Sequence, residues 1–340
     1  MVRVAYIPGD GIGPSITGAA RQIIDAAGCD IQWIEAPAGE TAYKTLDSPL
    51  PASTIATIRD TGLALKGPCT TPVGAGFQSV NVAMRKEFNL YANVRPARAF
   101  SGVPCLFPEL DLVTIRENTQ GLYSSMEHWI GTGKHEAALG LGVNTRPGME
   151  EICRFAFEYA LRHDRRKVTA VHKANILKIF SGLFLEVARE TAGHYPQIEF
   201  EDRIVDNMAM QLVRDPHQFD VIVSTNLFGD IISDLTAGLI GGLGMAPGEN
   251  IGDEVGIFEA VHGSAPDIAG KNLANPTSVI LAGNMLLRHV RQFEPADRIE
   301  KALRAVLAEG TAVTRDINPE HGVGTTEMTE AILKKLGEDS

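Results

Sequence analysis

No pair of cysteines with the spacing of a metal ribbon or a redox motif occurs in this 340-residue chain. Its four cysteines, Cys29, Cys69, Cys105 and Cys153, are scattered. Without a Cys-x-x-Cys pair, neither a zinc site of that kind nor a dithiol centre is expected. Long apolar runs are missing as well. The longest weakly polar stretch, residues 235–247, is too short and too rich in glycine to span a bilayer, so no membrane partner is expected. Positive charge is scarce: 31 Lys and Arg stand against 42 Asp and Glu, for a net charge of −11. That balance opposes non-specific attraction to nucleic acid or anionic lipid. The one dense basic run, residues 162–167, reads as a solvated helix end or loop. No repeat, low-complexity tract or secretory leader is visible, and a cytoplasmic setting is the expectation.

What is present is length for two domains and, at 44% apolar residues, material for a substantial core. Strand-like apolar runs at residues 2–7, 112–116, 167–172 and 220–224 alternate with helix-like stretches at 15–27, 148–162, 177–191, 208–213 and 298–309. The alternation predicts an α/β fold with a mixed or parallel sheet. Between the first strand and helix lies Gly9-Asp10-Gly11-Ile12-Gly13-Pro14. It resembles a dinucleotide phosphate loop, but the third glycine falls one position early and Pro14 takes its place. A tight glycine-rich turn is the better reading.

Four groups of residues carry candidate chemistry. Asp230 and Asp234 lie four apart in Asn226-Leu227-Phe228-Gly229-Asp230-Ile231-Ile232-Ser233-Asp234 and share a face if a helix begins near Asp230. Two such carboxylates suit a hard divalent cation; alternatively Asp230 caps the helix and Asp234 faces solvent. Arg85, Arg95 and Arg116 could converge on a di- or tricarboxylate through paired hydrogen bonds, or form three separate surface ion pairs. Tyr123 and Lys173 are proton-transfer candidates, provided burial and nearby positive charge lower their pKa values; singly, each reads as structural. The loop beginning Glu259-Ala260-Val261-His262-Gly263-Ser264-Ala265-Pro266-Asp267 and running to Asn275-Pro276 offers small residues for close backbone approach, and Asp267 could accept hydrogen bonds from ribose hydroxyls.

Taken in order, these pieces resemble the isocitrate/isopropylmalate dehydrogenase family of β-decarboxylating dehydrogenases. The resemblance rests on the Gly9 to Pro14 turn, Thr70-Thr71-Pro72, residues 79–85, Arg95-Pro96, Arg116-Glu117-Asn118, Tyr123, His172-Lys173-Ala174-Asn175, Asp206, Gly229-Asp230 through Asp234, and residues 259–276. It runs from near Arg3 to at least Asn284. It implies a non-Rossmann, two-domain α/β fold with the active cleft between the domains. Residues 1–95 and 241–340 would form the large domain with the cofactor loop. Residues 96–240 would form the smaller central domain, with the dimer interface and the metal and catalytic residues.

The same resemblance implies NAD-dependent oxidation and decarboxylation of isocitrate to 2-oxoglutarate and CO₂, with Mg²⁺ or Mn²⁺. The implied substrate-binding residues are Ser79, Asn81, Arg85, Arg95 and Arg116. Isopropylmalate enzymes place apolar residues at the positions of Ser79 and Asn81. Tyr123 and Lys173 would be catalytic, and Asp206, Asp230 and Asp234 would hold the metal. Thr71, Asn175, Glu259, His262, Gly263, Ser264, Ala265, Asp267, Ile268 and Asn275 would bind the cofactor. Asp267-Ile268 stands where NADP-dependent members commonly carry Lys-Tyr, which points to NAD. The partner would be a second copy in a homodimer with shared sites, supplying Lys173 and Asp206, or a larger assembly. Homoisocitrate, tartrate or 3-isopropylmalate oxidation, and a non-catalytic regulatory subunit, are the alternatives. Gln120 departs from the acidic residue that many NAD-dependent members carry.

Overall fold

The computed structural model describes residues 1–71 and 79–338. In chain order the elements are β1 (Val2–Ile7), α1 (Gly13–Ala26), β2 (Ile31–Glu35), α2 (Glu40–Leu46), α3 (Ala52–Thr61), β3 (Leu63–Lys66), α4 (Val80–Glu87), β4 (Ala92–Arg98), β5 (Asp111–Glu117), β6 (Gly121–Ile130), β7 (Ala137–Val143) and α5 (Arg146–Arg162). They continue with β8 (Lys167–His172), α6 (Phe180–Ala192), β9 (Glu199–Ile204), α7 (Val205–Arg214), β10 (Val221–Ser224), α8 (Asn226–Leu239), β11 (Pro247–Ile251), β12 (Gly256–Ala260), α9 (Thr277–His289), α10 (Phe293–Glu309) and α11 (Thr325–Glu338). Three short 3₁₀ turns among the described residues complete the list.

The chain forms two compact units. Unit one comprises Met1–Phe88, Arg98–Leu110 and Ala237–Ser340; unit two comprises Asn89–Ala97 and Asp111–Thr236. The chain passes between the units more often than a single central insertion would. Residues 89–97 belong to unit two, and residues 98–110 return to unit one before β5 begins.

In unit one the strand order is β2-β1-β3-β12-β11, parallel except for the antiparallel pair β11 and β12. Val4, Ala5, Tyr6 and Ile7 of β1 are all buried, as a central parallel strand covered on both faces requires. The proline in the first turn of α1 suits a helix start, and Ile16, Ala19, Ala20, Ile23 and Ile24 form its buried stripe. That stripe packs toward α9 and α11.

In unit two the order is β4-β5-β10-β8-β9, with β5, β10, β8 and β9 mutually parallel. Here α5 buries Met149, Ile152, Cys153, Ala156, Phe157 and Ala160 against the sheet. Beside the sheet, β6 and β7 form a separate antiparallel hairpin. Its apolar residues Trp129, Ile130, Leu139, Leu141 and Val143 are exposed, and Trp129 stacks on His135 with ring centroids 4.4 Å apart. Among the described residues no helix is long and apolar enough to cross a membrane.

Candidate active site

The strand order of unit two brings one charged cluster together. Arg95 lies on β4, Arg116 on β5, Tyr123 on β6, and Asp230, Ser233 and Asp234 on α8. Arg95 Nη1 donates to Asp230 Oδ1 at 3.2 Å, to Ser233 Oγ at 2.7 Å and to Asp234 Oδ1 at 3.1 Å. Arg116 donates from Nη1 to the same Asp230 oxygen. Tyr123 donates its hydroxyl to Asp230 Oδ2 at 2.5 Å, and its ring lies 5.0 Å from the Arg116 guanidinium carbon. The two acids and two arginines therefore share partners instead of forming separate surface pairs. Arg116 is 1% exposed, whereas Asp234 is 54% exposed, so the cluster runs from a buried floor to an open rim.

Helix α8 begins at Asn226, not near Asp230. Asp230 therefore does not cap it; the acid sits in the second turn, with Asp234 one turn on along the same face. Gly229 makes this packing possible. A Cβ there would lie 2.7 Å from Arg116 Cγ and 2.8 Å from its Cβ, far inside contact distance. The electrostatics follow from the sharing. Burial raises the Asp234 carboxyl above its usual range, Arg95 opposes this and Asp230 adds to it.

Tyr123 corrects an expectation. Its pKa is raised, not lowered: burial disfavours the phenolate, and the hydrogen bond and negative charge of Asp230 add to this against the opposing pull of Arg116. The phenol is thus held in its protonated form.

Lys173 and Asp206 form a second pair in unit two. Lys173 Nζ donates to Asp206 Oδ1, which holds the exposed Asp206 carboxyl below its usual range. His172 shapes the turn after β8. Its Nδ1 accepts the Ala174 N–H at 3.0 Å, so Nε2 carries the proton toward Asp202 Oδ2 at 3.1 Å. Ser181 Oγ accepts the Lys173 N–H at 2.8 Å. Asn175 and its neighbours Ile176, Leu177 and Ile179 are exposed. Asp206 does not join Asp230 and Asp234. Among the described residues no three carboxylate, His or Cys side chains of this chain converge as a metal centre.

Unit one holds the glycine-rich turn and the 259–275 loop. Three of the turn's amides are already used, which disfavours a phosphate cradle. Asp10 N–H donates to Pro68 O at 2.7 Å, Ile12 N–H to Ser264 O at 2.9 Å and Gly13 N–H to Asp10 O at 2.8 Å. Gly11 has φ +58°, and a Cβ there would collide with Ser264 O. The Asp10 carboxylate accepts the backbone N–H groups of Glu40, Thr41 and Thr70 at 2.8, 2.9 and 2.8 Å, and the Thr41 hydroxyl at 2.8 Å. Thr70 Oγ1 lies 2.7 Å from Ser264 Oγ. Thr71 follows, exposed; Pro72 lies outside the described residues.

Ile12, His262, Gly263, Ala265, Ile268, Leu273, Asn275 and Asp316 are among the residues lining a pocket of about 440 Å³ in unit one. Asp267 is exposed in the turn Pro266–Ile268, next to that lining. Asn275 Nδ2 donates to Asp316 Oδ2 at 2.9 Å. Burial lowers the His262 pKa despite opposing help from the Gly263 carbonyl and Asp316, so a neutral ring faces the pocket. Glu259 is buried at the end of β12. It accepts from Lys66 Nζ at 2.5 Å and from Asn250 Nδ2 at 2.7 Å. Burial alone would raise its carboxyl, but the charges of Lys66 and Arg85 and these hydrogen bonds outweigh burial and hold it down to about 2.

The sequence patterns did not single out Lys66, Asn226 or Ser233. The available signal for Lys66 was a lysine closing an otherwise apolar strand, Leu63-Ala64-Leu65-Lys66, since a charge buried there needs a partner. Asn226 and Ser233 sat inside the Asp230 motif without a role of their own. Ser79 is the N-cap of α4, and Asn81 and the buried Arg85 lie four residues apart on that helix.

Comparison with known proteins matches residues 3–332 to the isocitrate/isopropylmalate dehydrogenase family. The crystal structure of isocitrate dehydrogenase from Methylococcus capsulatus is 54% identical, covers 99% of each chain and superimposes with a TM-score of 0.97. The mitochondrial isocitrate dehydrogenase (NAD) catalytic subunit 5 of Arabidopsis thaliana is 46% identical over 336 residues, spanning 98% of this chain and 88% of that one. The isocitrate dehydrogenase (NADP) of Thermus thermophilus is 47% identical over 338 residues, 98% of this chain and 68% of that one. Identity alone thus does not choose between the two nicotinamide cofactors. With its sheet order, its arginine–aspartate cluster and this match along nearly its whole length, the chain belongs to the isocitrate/isopropylmalate dehydrogenase family, decarboxylating dehydrogenases that use a nicotinamide cofactor and a divalent metal on isocitrate or a related hydroxy acid.

Proposed function

We propose that the protein oxidises isocitrate with NAD and decarboxylates it to 2-oxoglutarate and CO₂, with Mg²⁺ or Mn²⁺. The polar opening of α4 carries the choice of substrate. A third carboxylate needs polar donors, whereas an isopropyl group needs an apolar wall. Ser79 and Asn81 supply the former, with Arg85 on the same helix. The Ser79 cap contact is loose at 3.5 Å, and the buried Asn81 amide oxygen has no hydrogen-bond partner among the described residues, so both side chains can turn to a ligand. Arg95 and Arg116 orient the remaining carboxylates.

The chemistry of Asp230 and Asp234 fits a hard cation. Arg95 Nη1 already lies within hydrogen-bond distance of both carboxylates, and Mg²⁺ commonly takes only one or two protein carboxylates beside substrate oxygens. A divalent ion held there supplies Lewis-acid stabilisation of negative charge on the substrate oxygen. NAD supplies the hydride acceptor. Lys173 assists deprotonation of the hydroxyl, and Tyr123, held protonated, donates to the carbon that has lost CO₂. Lys173 and Asp206 reach this site from a second copy. Support for that comes from their separation from the Asp230 cluster as a metal centre and from the exposed apolar hairpin and residues Ile176 and Ile179, which suit a dimer interface. The retained arginines, tyrosine, lysine and aspartates support an active enzyme over a regulatory subunit.

The test is initial-rate kinetics with isocitrate, homoisocitrate and 3-isopropylmalate, each with NAD and NADP. Isocitrate with NAD should give the highest kcat/KM. EDTA should abolish turnover, and Mg²⁺ or Mn²⁺ should restore it. A higher kcat/KM for 3-isopropylmalate or with NADP, or full turnover in EDTA, would overturn the corresponding part.

A further inference from the structure

We infer that Asn226 is a positioning residue for Arg116: its amide sets the direction of the guanidinium and through it the affinity for substrate. The inference rests on the proposed carboxylate-binding role of Arg116.

Strand pairing starts the geometry. β10 lies beside β5 with Ser224 opposite Arg116, so the chain leaving β10 enters α8 next to that arginine. Asn226, the first residue of α8, is 1% exposed. Its Oδ1 accepts Arg116 Nε at 3.1 Å and Nη2 at 2.6 Å, and its Nδ2 donates to the Gln120 carbonyl at 3.2 Å. The amide can face only one way. A guanidinium can only donate and a carbonyl can only accept, so the oxygen must face Arg116 and the nitrogen Gln120. Two N–H groups held on one oxygen fix the plane of the guanidinium, and Nη1 then meets Asp230.

The carbonyl that anchors the amide is itself anchored. Gln120 N–H donates to the buried Glu117 carboxylate at 3.0 Å. Its side chain pairs with Thr145, the N-cap of α5: Oε1 accepts the Thr145 N–H at 2.7 Å and Nε2 donates to Oγ1 at 3.0 Å. Arg116 is thereby tied through one amide to the starts of two helices. Helix capping does not account for Asn226, because its amide atoms are engaged by Arg116 and Gln120 and not by the first-turn N–H groups of α8.

The test uses Asn226→Ala, Asn226→Asp, Arg116→Lys and the double variant Asn226→Ala/Arg116→Lys. Kinetics are run with whichever of the three hydroxy acids the wild type oxidises, alongside thermal melting. Asn226→Ala should raise KM for the hydroxy acid about tenfold while kcat changes by less than about threefold and KM for the cofactor stays put. Asn226→Asp suits a helix start, so it keeps the fold if the alanine variant does not. It should raise KM at least as much, since a carboxylate draws the guanidinium and opposes the Gln120 carbonyl. On the Arg116→Lys background, Asn226→Ala should add nothing to KM, because an ammonium has no plane to orient. If Arg116→Lys raises KM but Asn226→Ala and Asn226→Asp leave it within about twofold of wild type, or if Asn226→Ala acts equally on both backgrounds, Asn226 does not position Arg116. If Arg116→Lys itself leaves KM unchanged, the substrate-binding reading of Arg116 has failed, and the inference with it.

Discussion

The loops of unit one and the charged cluster of unit two are held in opposite ways. Around Asp10, one carboxylate satisfies three backbone N–H groups and a hydroxyl at 2.8 to 2.9 Å, and neighbouring amides are closed by carbonyls. Each donor has one acceptor. In unit two, a single Arg95 nitrogen serves three acceptors at 2.7 to 3.2 Å, and two carboxylates compete for the same guanidinium. A closed set of backbone bonds resists rearrangement, since breaking one strands a buried polar group. A shared set of charges can exchange partners when a ligand brings new ones. Shape is therefore built into the loops of unit one, and responsiveness into the cluster of unit two.

Four changes would break or sharpen that contrast. The largest effect is expected at Asp230→Asn, which removes an anionic ligand but keeps the shape. Turnover should fall by about a thousandfold or more while the melting temperature changes little, as checked by steady-state rates and calorimetry. A comparable loss of fold would mean that the cluster is structural in the manner of Asp10.

Glu259→Gln should do the reverse and cost stability. It leaves Lys66 buried without its counter-charge, a loss of about 3–5 kcal/mol in denaturant unfolding. The pH dependence carries the same signature. The Glu259 carboxyl is depressed to about 2 in the fold, against about 4.3 unfolded. Its contribution is therefore fully present above the unfolded value and lost as pH falls from about 4.3 toward about 2. The glutamine variant should lose that part of the acid sensitivity; an unchanged acid profile would contradict the assignment.

Cofactor choice should respond more modestly. If the 259–275 loop holds the cofactor as proposed, the exposed Asp267 would present like charge to a 2′-phosphate and Ile268 would offer no donor. Asp267→Lys with Ile268→Tyr should shift the NAD/NADP ratio of kcat/KM by about a hundredfold toward NADP, with KM for isocitrate nearly unchanged. No shift would remove this loop from cofactor selection.

The smallest signal asks whether Lys173 serves the cluster of its own chain. Mixed after subunit exchange, inactive Tyr123→Phe and Lys173→Met chains should regain about a quarter of wild-type activity, because half the dimers carry one intact site of two. No recovery, with exchange verified by mass spectrometry, would place Tyr123 and Lys173 in one chain's site.

Much of the cluster could be read from the chain because it sits on regular elements. Asp230 and Asp234 follow helical spacing, and Arg95 and Arg116 stand in polar, motif-like surroundings on strands. The direction of the Tyr123 shift was not legible. It depends on Asp230, 107 residues away, and on burial, which raises a phenol where it would lower a lysine. Lys66 was invisible for a similar reason: its partner Glu259 lies 193 residues on, and no periodicity links them. The crossings at residues 89–110 leave no mark in composition, because both units draw on the same alternation of strands and helices.

The stacked Trp129 and His135 of the hairpin give the molecule an optical reporter. The chain has two tryptophans. Trp33, in unit one, donates to Asp25 at 2.7 Å and packs edge-on against Tyr6. Trp129 is 62% exposed on the apolar hairpin. Covering the hairpin by a second copy would move Trp129 emission to shorter wavelength and leave Trp33 as an internal reference. A dilution series followed by fluorescence alone would then register association without a label, and a Trp129→Phe chain would be blind to it.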